Sequence, residues 1–382
     1  MKIFIPAIFA LLLSCPALSV SATLSVGPER ILKRPSDAAR IAKNGDTVVI
    51  DAGIYSGDVA VWRQHRLTLR GSGERAHLQA FGKSAEGKAI WVIKGNNVVV
   101  ENIEFSGATV AHLNGAGIRF EGTHLTVRNV HFHDNQMGIL TGSNPRSDIL
   151  IEGSEFNDNT VDFRRHGKLG HNIYIGSIRR FTLRNSYVHD AKTGHNVKSR
   201  ARENYLLYNR ITDEHGASSY LIDLPNGGNA FIIGNLLRQS PGSSNWTAIA
   251  YAGEQNRDNP GQTLYAVNNT FVNDRTKGVF IHNHSKADVL SINNLLVGSV
   301  IALNGPGQQR HNLTTKYGGF VDRDAFDYRL LLSSPAIGRG IDPGMTSNGY
   351  SLSPKFHYRH PLRREGRRQR GPIDIGAYAF DG

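Results

Sequence analysis

Gly194-His195-Asn196-Val197-Lys198-Ser199-Arg200 puts an imidazole, an ammonium and a guanidinium into one short stretch. It repeats the opening of Gly170-His171-Asn172-Ile173-Tyr174-Ile175, 24 residues upstream. In an extended strand alternate side chains share a face, so Val197 and Ser199 would point one way and Asn196, Lys198 and Arg200 the other. Such a strand, stacked on one that carries Tyr174, is a candidate acid–base surface. It has the groups that β-elimination at a uronate needs. Arg200 can neutralise a carboxylate through its fork. Lys198 or an imidazole can remove the activated proton if neighbouring cations or burial lower its pKa. Tyr174, His171 or His195 can protonate the leaving oxygen. Asn172 and Asn196 can donate to the carboxylate as neutral groups.

Further candidates surround this group. Tyr174 and Tyr220 are possible sugar-stacking platforms. Asp223 stands two residues past Leu221, before Pro225, where its direction is open and a turn role is the simpler reading. Arg165 and His166 belong to an apparent insertion and are candidate substrate contacts. Hydrolysis would need two carboxylates across a scissile bond. Asp213, Glu214 and Asp223 are the nearby acids, and no adjacent Asp pair occurs there. Epimerisation begins with the same proton removal as elimination. A non-catalytic exopolysaccharide-binding protein would use the tyrosines and the basic face alone.

The elements that would position these residues recur along the chain. A short strand, an Asn or Gly, and an apolar residue return with anchors at Asn102, Asn129, Gly153, Asn185, Tyr208, Gly234, Asn268 and Asn293, 23 to 34 residues apart. A repeat of this length built from short strands reads as a parallel β-helix. Asn209, Asn235, Asn269 and Asn294 each follow an anchor and are expected to stack and hydrogen-bond along the axis. A second recurring strand supplies an inward apolar column through Ile118, Ile139, Ile173, Val197, Leu221, Ile249, Phe280 and Ile301. By alternation the outward set includes Arg119, Asn172, Tyr174, Asn196, Lys198, Arg200, Tyr220 and Asn283. Insertions are expected at 164–168 and 254–258, on the binding face. Residues 35–43 suit one short capping helix, and the irregular tail is expected to close the open end. The arginines from Arg359 to Arg370 read as a solvated loop.

Lys2, the apolar run Ile3–Leu13 and Val20-Ser21-Ala22 read as a secretory signal over residues 1–22, with residues 23–382 as one domain. The apolar run is too short to span a bilayer. A lipoprotein reading of Leu12-Leu13-Ser14-Cys15, with Cys15 lipidated, fits less well because Leu13 precedes the small residue. Cleavage after Ala22 leaves no cysteine, so disulfides would play no part outside the cytosol. The net charge of +12 in a secreted or periplasmic chain points to an acidic polysaccharide as partner rather than a nucleic acid. A monomer is expected.

Gly45-Asp46-Thr47-Val48-Val49-Ile50, Gly53-Ile54-Tyr55, the Asn-anchored coils, Ser334-Pro335-Ala336-Ile337 and Asp374-Ile375-Gly376-Ala377-Tyr378 together resemble the pectate-lyase-like superfamily of right-handed parallel β-helices. The resemblance covers nearly all of the mature chain and implies the fold rather than one chemistry. Val197-Lys198-Ser199, followed by Asn204 and Asn209, is similar to the alginate and chondroitin lyase branch, which implies Lys198 as the base. The chain departs from that branch at Leu221-Ile222-Asp223-Leu224, where an Arg-His-Gly is expected. It also has His195 and Asn196 where calcium-binding carboxylates would stand. No dense carboxylate cluster calls for calcium, and no cofactor is expected. His131-x-His133 and His282-x-His284 show no third ligand and read, with His189, as structural.

Overall fold

The computed structural model describes residues 21–254, 259–369 and 371–380. The expected leader core and Cys15 lie outside the described residues. Among the described residues no helix is long and apolar enough to cross a membrane.

Each coil contributes three short strands to three parallel faces. The first face is a ten-stranded sheet from Ala60–Trp62 to Val300–Asn304. It includes His171–Ile175, Val197–Ser199 and Ile222–Leu224 as consecutive rungs. The other two faces share long early strands, Thr47–Ser56 and Thr68–Gln79, which run across the corner between them. The repeating anchors are that corner. Asn102, Asn129, Gly153, Asn185, Tyr208, Gly234, Asn268 and Asn293 all have φ between 49 and 67°. Asn and Gly tolerate this left-handed conformation best, so their recurrence at seven of the eight anchors is a backbone preference, with Tyr208 the exception.

The residue after the corner keys one coil to the next. Asn235 Nδ2 donates to Asn269 Oδ1 at 3.0 Å, and Asn269 Nδ2 to Asn294 Oδ1 at 2.9 Å. Each Oδ1 also accepts the preceding coil's backbone N–H, as at Asn209 and Asn235, both 2.9 Å. The buried amides thereby satisfy polar groups that the turn would otherwise orphan. Inside, Phe105, Phe132 and Phe156 stack at 5.2 and 4.7 Å between centroids. Dispersion contacts thus continue down the axis.

The inward column of the first face differs from the expected one in three coils. Val197 pairs with Ile222, Ile249 with Ile281, and Ile281 with Leu303. Leu221 and Phe280 are also buried, and adjacent apolar pairs leave the two-residue period ambiguous. Ile301 is half exposed on the last rung.

At the start, Thr23–Val26 pairs with Thr47–Ile50 and helix Pro35–Ile41 buries Ala38. The tail does more than close an end. Phe320, Tyr328, Tyr358, Ile375 and Ala377 pack on Tyr187, Leu236, Val272, Leu295 and Val297, so the tail runs back along the flank of the coils. The arginine run is not a plain loop. Arg363–Gly366 pairs antiparallel with Phe356–Arg359, Arg364 lies over Phe356 at 4.5 Å, and Arg367 donates to the carbonyls of Asp374, Gly376 and Ala377.

Candidate active site

Three rungs of the first face bring the chemistry together. Tyr174 lies beside Lys198, and Lys198 beside Asp223, in parallel register. Ile173, Val197 and Ile222 fill the core on the same rungs, which turns these three side chains outward. Arg200 follows two residues after Lys198, at the strand end.

Lys198 Nζ is 3.0 Å from Asp223 Oδ2 and 3.3 Å from Glu254 Oε1. Arg200 Nη1 and Nη2 grip Glu254 Oε2 and Oε1, and Nη1 also donates to Asn226 Oδ1 at 2.6 Å. Arg200 Nε donates to the Tyr174 hydroxyl at 3.1 Å, and both cations lie over the Tyr174 ring, at 5.7 and 5.9 Å. The guanidinium hydrogen bonds hold the Glu254 carboxyl below its ordinary range. Burial pushes Asp223 up, against the pull of the Lys198 ammonium. Arg200 is held more firmly protonated: its bonds to Glu254 and Tyr174 outweigh its partial burial.

The imidazoles are present but engaged. His171, His195 and Tyr220 stack along the axis at 4.9 and 5.0 Å. His171 Nδ1 accepts the His195 backbone N–H at 3.0 Å, and His195 Nδ1 accepts that of Tyr220 at 3.1 Å. Each ring therefore spends its lone pair on the backbone and carries its proton on Nε2. His195 Nε2 faces Asp223 Oδ2 at 3.5 Å. Burial, reinforced by Lys198, lowers His195 to about 3, and burial lowers His171 well below the ordinary value. This arrangement corrects the expectation of two imidazoles open for proton removal. Their ring proton is on Nε2, which in His195 faces the Asp223 carboxylate.

Asn172 and Asn196 were expected to face a substrate, and they do not. Both are fully buried in a second amide ladder at the corner that leads into this face. Asn159 Nδ2 donates to Asn172 Oδ1, and Asn172 Nδ2 to Asn196 Oδ1, at 2.9 and 2.8 Å. The chain turns there, so Asn172 and Ile173 both face inward and alternation starts only after the corner. The ladder ends on Asp213, which accepts from Asn196 Nδ2 and from the Ser218 and Ser243 hydroxyls. Desolvation raises Asp213 to about 6.

Asp223 is a strand residue at the centre of the cluster, not a turn residue. Arg165 and His166 are exposed on the short helix Phe163–His166. Among the described residues, the hydrogen bonds and ion pairs of the cluster do not include them. Glu254 and Asn226 were missed as site residues. The only sequence signal for Glu254 was its place at the head of an insertion.

Residues 53–237 match the family model for the right-handed beta helix region. No curated protein matches the chain. The crystal structure of pectate lyase Pel9A aligns over 96% of this chain and 98% of that one, with a TM-score of 0.66 at 15% identity. An alginate lyase from Paenibacillus sp. str. FPU-7 aligns over 77% of this chain and 99% of its own, with a TM-score of 0.48 at 16% identity. The chain has the right-handed parallel β-helix fold, shared over nearly its whole length with that pectate lyase.

Proposed function

We propose that this right-handed β-helix is an exported enzyme that cleaves a uronate-containing polysaccharide by β-elimination. One observation carries the reading: Arg200 and Lys198 already grip a carboxylate, that of Glu254, in the bidentate manner a uronate would use. The likeness to a pectate lyase supports a polysaccharide-lyase-like scaffold at the level of fold.

In this mechanism the uronate displaces Glu254 from Arg200, and the guanidinium draws charge from the carboxylate, which acidifies the adjacent C–H. Lys198 Nζ takes that proton after passing its own to Asp223 Oδ2, 3.0 Å away. The electron pair left on carbon forms the C=C bond as the glycosidic C–O bond breaks. The Tyr174 oxygen already accepts from Arg200 Nε, so its own proton is free for the leaving oxygen. Asp223 holds Lys198 in position from the next rung, and Tyr220 offers a ring for sugar stacking. The products are an unsaturated uronate end and a new reducing end.

Incubation with a panel of polyuronates, followed by ultraviolet absorbance of the unsaturated product, tests the reading. Absorbance growth with one polymer is expected. Its absence across the panel, with reducing ends released, transfers the case to hydrolysis. That second reading has its own support: Asp223 and Glu254 flank one ammonium, which gives two carboxylates where the sequence had offered no pair. Export itself is tested by N-terminal sequencing of the secreted protein, expected to begin at Thr23.

A further inference from the structure

A second group of ligand-capable side chains stands on a different face, toward the N-terminal end. His77, Glu104 and His133 come from the strands Thr68–Gln79, Ile103–Ser106 and His131–His133, on three consecutive coils. They alternate with the buried residues Leu78, Phe105 and Phe132, so their side chains stand on the outer surface of the coils. His77 Nδ1 lies 3.3 Å from Glu104 Oε1, and His133 Nε2 lies 3.1 Å from the same oxygen. All three donor atoms fall within 4.8 Å of one another.

From this arrangement we infer a binding site for a zinc-class divalent cation, held by His77 Nδ1, His133 Nε2 and the Glu104 carboxylate. Metal–ligand bonds of about 2.0–2.1 Å in a tetrahedron put the donor atoms about 3.3 Å apart. The two nitrogen–oxygen separations are already near that spacing, the His133 one closed by a direct hydrogen bond to Glu104 that a cation would replace. The outer nitrogen of each ring is fixed as well. His77 Nε2 bonds the Ser106 hydroxyl at 2.7 Å, and His133 Nδ1 bonds Asp134 Oδ2 at 2.8 Å. Those bonds leave the inner nitrogens aimed at the shared position, the second-layer pattern that orients histidine ligands to a metal. Two imidazoles and one carboxylate suit zinc and neighbouring transition metals, whereas calcium takes six to eight oxygens. The three residues are only partly buried, which leaves a fourth position for water. His131 is outside the set, because its Nε2 is taken by Asn157 at 2.7 Å. The cation would clamp three successive coils by their side chains.

The test uses untagged protein stripped with a chelator and titrated with Zn²⁺ by calorimetry, with metal content measured after gel filtration. One equivalent bound at micromolar affinity or tighter is expected, with a rise in melting temperature. Glu104→Gln keeps the size of the residue and its capacity for hydrogen bonds, and His133→Ala removes one ligand. Each should weaken binding at least 10-fold, and Asp134→Ala should weaken it about 10-fold through the ring it orients. A His282→Ala/His284→Ala variant should keep the full stoichiometry. Absence of stoichiometric binding, or binding unchanged in Glu104→Gln and His133→Ala, overturns the site.

Discussion

Arg200 holds Glu254 by both terminal nitrogens, Nη1 to Oε2 at 2.7 Å and Nη2 to Oε1 at 2.9 Å. An anionic substrate must compete with this internal carboxylate. Glu254 is about half exposed, so the pair contributes the modest energy of a surface ion pair, about 0.2–1 kcal/mol. Glu254→Ala should therefore lower KM for a polyuronate by about 2- to 5-fold. Steady-state kinetics decide it, and an unchanged or higher KM would count against competition at Arg200.

Lys198→Ala removes the proposed base and should lower kcat by about 100-fold or more. Arg200→Lys keeps the charge but loses the fork, so kcat/KM should fall mainly through KM. If Lys198→Ala turns over at the wild-type rate, Lys198 has no part in proton transfer.

With Nδ1 of His195 committed to the Tyr220 N–H and the ring lowered to about 3, no imidazole of the stack should titrate between pH 5 and 8. His195→Gln should shift no limb of the log kcat/KM profile, and its activity should fall by less than about 10-fold, consistent with a positioning role. An acidic limb that is present in the wild type and missing in this variant would restore His195 as the base.

Asp213 is raised from 3.8 to about 6, mainly by burial. The folded state thus keeps a proton that the unfolded chain releases between these values. Its contribution to stability is fully present below pH 3.8 and is lost as pH rises through 6. Asp213→Asn is neutral throughout, so melting temperatures from pH 4 to 7 should fall more steeply for wild type than for the variant. Parallel curves would show that Asp213 titrates as it does when unfolded.

Asn269→Ala strips the acceptor from Asn235 N and Nδ2, and the donor from the Ile232 carbonyl. Leaving those buried groups unpaired should cost at least about 2 kcal/mol by chemical denaturation. The exposed Asn348→Ala should stay within about 0.5 kcal/mol. Equal effects would mean that the ladder adds little.

The coil was legible because its corner favours a particular residue type: Asn or Gly in a left-handed turn marks seven of the eight anchors, Tyr208 being the exception. The Tyr174, Lys198 and Arg200 side of the site was legible for the same reason, since one strand motif occurs on adjacent rungs. Register was less so. Leu221-Ile222 and Phe280-Ile281 are both apolar pairs, and only the neighbouring rung settles which member lines up with the column. Asn172 and Asn196 were misread because alternation fails at a bend. Glu254 reaches Arg200 across 54 residues, and His133 meets Glu104 across 29, so no local pattern announces either contact.

The keyed corners divide the molecule into parts that tolerate change and parts that do not. Residues added between rungs displace neither the left-handed turn nor the amide beneath it, whereas one residue added within a strand would invert every side chain beyond it. Evolution can therefore recut the loops bordering the Tyr174, Lys198 and Asp223 rungs, one coil at a time, without renegotiating the framework. Glu254 is where such divergence would bear directly on the site, because its side chain already occupies the seat between Lys198 and Arg200.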